Sequence, residues 1–497
     1  MSEDLRAVRL EKLQKLKENG YEVYPDKYER THTLAGAKKL EMDMNVKVCG
    51  RIMMIRHIGR LIFVKLQDWS GHLQIVLEEN TVGKESFKDF VKLIDLGDFV
   101  GAEGKMFTTK HGEISVLVSQ WTFLGKGLHP LPSKWHGLED KETCYRERYL
   151  DLIMNEDTKN RFKFRSEFIK EIRKFYWENN FVEVETPTLT HTATGANAKP
   201  YVTHNNALDI DIYLRISQEL PHKMLITGGY DRLFEIGKAF RNEGIDPSHL
   251  PEHTHFEHYV AYWNYKDNMK FTEELFDHLF STLDFLPNDR KIQIKDKEGK
   301  EQIVDFSTPF KRVSFVEIIE KETGVNVMKI KDEKEMKSIL KSKKIKIDDI
   351  DKMSLATIID HFYKKMVRPN LIQPTFVYDY PKFMQPLARV NNENKDIVDQ
   401  FQLVINGWEI VKAYSELVDP IDQAERFKEQ LAVKASGDEE AMEGDDEYIK
   451  CMEYGMPPIS GWGMGLDRII TLFTQQENLR DCVLFPLMRP EGKEKKK

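Results

Sequence analysis

The spacing of apolar positions changes along the chain. Over residues 3–19, Leu5, Val8, Leu13 and Leu16 recur on one side of a charged segment, which predicts a short amphipathic helix packing on its own protein. Between Val46 and about Leu124 the period falls to two. Runs such as VKVCGRIMMIR, LIFVKLQD, HLQIVLEE, DFVGAEGKMFTT and EISVLVSQWTFL alternate with turn signals, including Trp69-Ser70-Gly71 and Lys110-His111-Gly112. Leu128-His129-Pro130-Leu131-Pro132 then denies helix and marks a linker.

About five short strands with turns suit a small barrel of the OB type. The pattern alone leaves open any small β-barrel or sandwich with no nucleic-acid role. From Arg146 a larger α+β region runs to Pro490. Residues 310–370 within it read as a helical insertion, whose lysines from Lys329 to Lys346 are expected on a solvated face. The acidic stretch Asp438 to Glu447 is expected to be a solvated loop. The expected division is a helical segment at 1–45, a barrel at 46–127, a linker at 128–145, a catalytic α+β domain at 146–490 and a disordered basic tail at 491–497.

Bulk properties narrow the class. A chain of 497 residues exceeds what one core supports, about 250–300 residues. Lys and Arg total 74 against 82 Asp and Glu, a net charge of −8, so any nucleic-acid contact needs a local surface rather than the overall charge. Four scattered cysteines contain no CxxC pair, no apolar run spans a membrane, and Met1-Ser2-Glu3-Asp4-Leu5-Arg6 lacks an apolar signal core. A cytoplasmic location is expected.

Three segments of the large region carry chemistry. Phe164, Phe168, Ile172 and Phe175 form an apolar helix face, followed by FVEVETPTL, expected as a strand closed by Pro187. The second segment is LFEIGKAFRNEGIDPSHLPEHTHFEHYVAY, residues 233–262. Arg241 in its FRNEG can clamp a phosphate under attack with paired hydrogen bonds. The third is GWGMGLDR, Gly461 to Arg468, where small residues admit a nucleotide. It is not the GxGxxG of a dinucleotide fold, and the chain has no GxxxxGK[ST] loop. His249, His253, His255 and His258 do not read as a zinc site: HExxH and nearby cysteines are lacking, and a strand alternates their faces.

In this order the segments resemble motifs 1, 2 and 3 of class II aminoacyl-tRNA synthetases. The resemblance covers about residues 20–490 and is nearest to the lysine enzymes. It implies an α+β fold, with an antiparallel-sheet catalytic domain behind an N-terminal OB-type barrel that binds the anticodon. It further implies that lysine is activated with ATP and Mg2+ to lysyl-adenylate, then passed to the 3′ end of tRNA(Lys) by a homodimer. Some members also make diadenosine polyphosphates.

Carried over residue by residue, the resemblance implies Arg241 and Arg468 as catalytic. It gives Gly195, Glu219, Glu257, Tyr259, Tyr414 and Glu416 to lysine, the last with Tyr259 toward the ε-ammonium. Arg241, Glu243, His249, His253, Glu409 and Arg468 go to ATP, and Glu409 with Glu416 to Mg2+. Phe63, Gln74 and Glu113 are the anticodon positions; read from the strands alone, they are equally a core ring and two exposed polar residues. An ammonium leaving water needs carboxylate partners, which fits this many acids. The chain departs from the family pattern at His253, usually Phe, at Lys412, usually Asn, and at Thr194, usually Gly. Transfer of lysine to a protein is less expected, since such relatives usually lack the barrel. An inert regulatory paralog would lose motif arginines or pocket acids, and here Arg241, Arg468, Glu409 and Glu416 are present.

Overall fold

The structure is a computed structural model that describes residues 2–132, 138–196, 198–296, 298–347, 350–435 and 444–492. It divides into two units, Met1–Glu139 and Asp140–Lys497. Expectations placed on Ser133 to Gly137, on most of Asp438 to Glu447 and on Lys493 to Lys497 fall outside the described residues.

The first unit begins with helix α1 (Ser2–Glu18). Leu13 and Leu16 join the barrel core, whereas Leu5 and Val8 on the expected apolar side are exposed. Strands β1 (Asn45–Ile58), β2 (Leu61–Gln67) and β3 (His72–Glu78) follow. Helix α2 (Lys84–Leu93) comes next, then β4 (Phe99–Thr108) and β5 (Ile114–Gly125). The strands close in the order β1-β2-β3-β5-β4, as an OB-type barrel requires. Alternation puts Ile62, Val64 and Leu66, with Leu73, Ile75 and Leu77, into the core. The reading by strands missed α2, whose Phe87, Phe90 and Leu93 at helical spacing are buried.

The second unit is built on an eight-stranded sheet. Helix α3 (Glu156–Glu178) buries Phe164, Phe168, Ile172 and Phe175. The expected strand after it is short. Only β6 (Val182–Glu183) joins the main sheet, and Leu189–Thr190 pairs in a separate three-stranded sheet. Between them Thr186 N–H donates to the Glu235 carboxylate at 3.1 Å, and Pro187 has no N–H, so the ladder cannot continue.

The elements that follow are helix α4 (Glu219–Thr227), strands β7 (Arg232–Phe240) and β8 (Glu252–Ala261), and helix α5 (Tyr265–Thr282). Residues 310–370 are mostly helical, as α6 (Phe315–Thr323), α7 (Glu333–Ser342) and α8 (Leu355–Met366), but Lys311–Ser314 forms strand β9 of the main sheet. In α7, Met336 and Leu340 are buried while Lys334 and Lys341 are exposed. The sheet is completed by β10 (Thr375–Pro381), β11 (Ile397–Ile405), β12 (Trp408–Ser415) and β13 (Ile459–Gly465). Before β13 lie α9 (Pro420–Ala435) and α10 (Asp446–Glu453); α11 (Leu466–Phe473) follows it. The expected acidic loop is thus helical from Asp446, because Asp445 caps the Tyr448 N–H at 2.9 Å and acids suit the first turn.

Strand order is β9-β10-β11-β12-β13-β8-β7-β6, antiparallel except at its edges, where β9 runs parallel to β10 and β6 to β7. One face carries Phe234, Phe256, Phe401, Val411 and Trp462, packed with residues of α3, α5 and α11. Residues of α4, α6, α8, α9 and α10 pack with Tyr414, Val404 and Val377 toward the other face. That second face holds the candidate site.

Candidate active site

Residues two apart on a strand share a face, so the three glycines of GWGMG line up on one side of β13. Register places Tyr259 and Tyr414 on either side of Gly461, Glu257 and Lys412 on either side of Gly463, and His255 beside Gly465. A Cβ at Gly461 would lie 2.3 Å from Glu416 Oε1 and 2.4 Å from the Tyr259 ring. At Gly463 it would be 3.3 Å from His255 Nε2. The glycines therefore form a groove floor over which acids and phenols close.

Three buried carboxylates gather there. Glu257 on β8 accepts from the Ser217 hydroxyl at 3.1 Å and the Gln218 N–H at 3.3 Å, with His255 Nδ1 at 2.9 Å. Burial alone would raise its carboxyl, but His255, His222 and the Gln218 N–H hold it at about 2. Tyr259 OH donates to Glu257 at 3.3 Å and Tyr414 OH to Glu219. Burial, then the neighbouring acids, push both phenols well above their usual range, so they remain neutral donors. Glu416 follows β12 and is 1% exposed. Gly195, at φ +85°, sits where a Cβ would be 3.2 Å from Glu219 Cβ and Ser217. All six positions given to lysine by resemblance thus converge.

The structure adds residues that sequence reasoning passed over. Lys223 of α4 is fully buried; its ammonium lies 2.7 Å from Glu219 and also pairs with Glu416. The spacing Glu219-x-x-x-Lys223, one helical turn, was the available signal. Behind Glu257, the buried Glu235 takes Arg215 Nη1 at 2.6 Å, His222 Nε2 at 3.0 Å and the Thr186 hydroxyl at 2.7 Å. Burial would raise Glu235, yet His222, Thr186 and Arg215 lower it to about 2. The side-chain amide of Gln218 is buried without a hydrogen-bond partner.

A second group lies toward the far end of the groove. Arg241 leaves β7 with a buried, unpartnered Nε, while its backbone N–H donates to Pro251 at 2.8 Å. Arg468 Nη1 donates to the Glu409 carbonyl at 2.9 Å. His253 is half-buried, with its ring 5.9 Å from that of His255. Burial, then the charges of Arg241, His255 and Arg468, lower it well below the usual histidine range and leave a neutral ring. Glu243 and His249 stand exposed in the loop joining β7 to β8. Asp467 links the three motifs, accepting Arg165 Nη1 of α3 and the Thr254 N–H of β8, each at 2.7 Å.

Glu409 and Glu416 are not brought together. Glu409 is the second residue of β12 and Glu416 follows its end, so seven steps of strand put their Cα atoms about 20 Å apart and they cannot share one ion. Glu416 also has the Lys223 ammonium on its carboxylate. Among the described residues no group of three or more His, Cys, Asp or Glu is placed to hold a metal. The histidines of β8 divide as alternation requires, with His258 stacked on Trp462 in the core at 4.8 Å.

In the barrel, Phe63, Gln74 and Glu113 occupy β2, β3 and the turn into β5. Phe63 is half-buried between the core residues Ile62 and Val64, which turns it away from the core. Gln74 donates to the Ser115 hydroxyl at 2.9 Å, and Glu113 is exposed.

Comparison with known proteins agrees with this architecture. Residues 140–489 match the family described as tRNA synthetases class II (D, K and N), and residues 46–124 match the OB-fold nucleic acid binding domain. The chain is 44% identical to a lysine–tRNA ligase of Aquifex aeolicus over 96% of its own length and 77% of the relative's. It is 44% identical to that of Carboxydothermus hydrogenoformans, covering 98% of each chain. With that of Thermosipho africanus it shares 39% over 99% of this chain and 97% of the relative. The chain belongs to the class II tRNA synthetases, and within them to the lysine–tRNA ligase family.

Proposed function

We propose that the protein activates lysine with ATP and transfers it to the 3′-terminal adenosine of tRNA(Lys). The observation that carries this reading is the cluster of Glu219, Glu257 and Glu416, closed by Tyr259 and Tyr414 over Gly461. A pocket for a neutral or anionic side chain has no use for three buried acids.

Glu219 and Glu257 receive the α-ammonium, and Glu416 with Tyr259 the ε-ammonium. The substrate carboxylate then lies toward Arg241. One of its oxygens attacks the α-phosphorus of ATP, the bond to the bridging oxygen breaks, and pyrophosphate leaves with the electron pair. Arg241 and Arg468 stabilise the added negative charge, and the neutral ring of His253 stacks on adenine. In the second step a ribose hydroxyl attacks the lysyl carbonyl and AMP departs. No side chain needs to form a covalent bond, so the rate comes from positioning and charge.

Mg2+ accompanies ATP. Glu409 and Glu416 do not fit as a shared cage for it; phosphate oxygens and water are its natural ligands. Phe63, Gln74 and Glu113 read the anticodon, with the ring stacking on an unpaired base. A homodimer is supported by the exposed apolar side chains of Trp177, Val182 and Leu189, beside an open sheet edge at β6. Cytoplasmic work is supported by four free cysteines, and among the described residues no helix is long and apolar enough to cross a membrane. Charging of tRNA(Lys) transcript with labelled lysine, dependent on ATP, tests the proposal; transfer of aspartate or asparagine instead would refute it.

A further inference from the structure

Lys223 is the one buried cation paired directly to the acids of the pocket among the described residues. Its ammonium bridges Glu219, which precedes it by one turn of α4, and Glu416, which follows β12. The same ammonium lies 5.5 Å from the Tyr414 ring centroid and 5.8 Å from that of Tyr448 on α10. Its aliphatic stem is enclosed along with Leu220 and Ile226 on the buried side of α4.

Charge explains why a lysine-binding pocket would contain a lysine of its own. Glu219, Glu257 and Glu416 bring three carboxyl groups into a space closed to water. Burial, then Glu219 and Glu257, hold the Glu416 carboxyl well above its usual range, and Lys223 is the neighbour that opposes them. Without the resident cation, Glu416 would hold its proton more tightly and attract an ammonium less. The ammonium also holds the Glu219 and Glu416 carboxyl groups in one place, where the ammonium groups of free lysine must be met.

We propose that Lys223 is a positioning and specificity residue for lysine activation: its ammonium bridges Glu219 and Glu416, holds both carboxyl groups in place and offsets part of their negative charge, which fits the pocket to a dicationic amino acid. This rests on the reading of the pocket as the lysine site. The groups facing Glu416 are Glu219 and Lys223 of α4, Glu257 and Tyr259 of β8, Tyr414 of β12 and Tyr448 of α10. Lys412 lies beyond them, 5.8 Å from the Tyr414 ring.

The test is amino-acid-dependent ATP–pyrophosphate exchange by the full chain and by Lys223→Gln and Lys223→Arg, from about pH 6 to about pH 9. For Lys223→Gln the lysine KM rises about tenfold or more while the ATP KM stays within about twofold, and the lysine KM falls again as pH rises and Glu416 ionises. Lys223→Arg restores the lysine KM to within about threefold. An unchanged lysine KM in Lys223→Gln, a parallel rise in both KM values, or no rescue by arginine overturns the assignment. Should Lys223→Gln fail to fold, Lys223→Arg carries the test. A near-normal, pH-independent lysine KM then supports the assignment, and a rise of about tenfold overturns it. Absence of lysine-dependent exchange in the unsubstituted chain overturns the underlying reading as well. Exchange there with an unaltered Lys223→Gln overturns the assignment alone.

Discussion

Asp467 accepts the backbone N–H of Thr254 at 2.7 Å, and its other oxygen takes Arg165 at 2.7 Å. One buried carboxylate therefore fixes the start of α11 against β8 and α3. Because β8 carries His253, His255, Glu257 and Tyr259, the position of the whole groove depends on it. Asp467→Asn keeps the shape and removes the charge. It should cost about 2–4 kcal/mol of stability in denaturant unfolding. It should also raise the ATP KM more than the lysine KM; an unchanged unfolding midpoint would contradict this role.

Gly461→Ala places a methyl group 2.4 Å from the Tyr259 ring and 2.3 Å from Glu416 Oε1, inside any tolerable contact. Lysine-dependent exchange should be lost with ATP binding retained, as read by equilibrium nucleotide binding. Gly463→Ala meets its nearest atom, His255 Nε2, at 3.3 Å and should be milder.

On the proposed mechanism, Arg241 and Arg468 act where charge develops in the transition state. Alanine at either position should lower kcat by about 100- to 1,000-fold, measured as single-turnover adenylate formation. A loss confined to KM would assign them to ground-state binding instead.

Glu235 supplies a pH dependence. Its carboxyl lies near 2 in the folded chain against an ordinary value of 4.5, so its stabilisation is complete above about 4.5 and is lost as pH falls toward 2. That difference corresponds to roughly 3 kcal/mol. Denaturant unfolding of the second unit between these limits should show a decline. Glu235→Gln should flatten it while lowering stability at pH 7, because Arg215 is left buried without its carboxylate.

Phe63 offers a test confined to the barrel. Phe63→Ala should weaken tRNA(Lys) binding by about 1–3 kcal/mol and leave pyrophosphate exchange unchanged. Equal charging kinetics would remove Phe63 from the anticodon surface.

The sequence was legible where chemistry demands fixed residue types at fixed spacing. Alternation gave the five barrel strands, and the glycines of GWGMG, sharing one face of β13, gave the groove floor. The acids near Gly461 came from the resemblance to lysine enzymes, and the need of a cation leaving water for carboxylate partners agrees with them. Lys223 was missed because a lysine in a helix reads as solvated surface; only the fold shows that the face bearing Glu219 and Lys223 is buried. Helix α2 was missed because its apolar positions lie between two strands of similar composition. The pairing of Glu409 with Glu416 failed on distance, since residues seven apart on a strand point to separate ends of the groove. The strand expected from Phe181 to Leu189 was cut short by a side chain, Glu235, that takes over the Thr186 N–H.

On the proposed function, the acid cluster of Glu219, Glu257 and Glu416 selects lysine. The most direct measurement is ATP–pyrophosphate exchange by the unsubstituted protein across all twenty amino acids. Exchange with lysine alone is expected. Exchange with aspartate or asparagine, or with none of the twenty from folded protein, would contradict it.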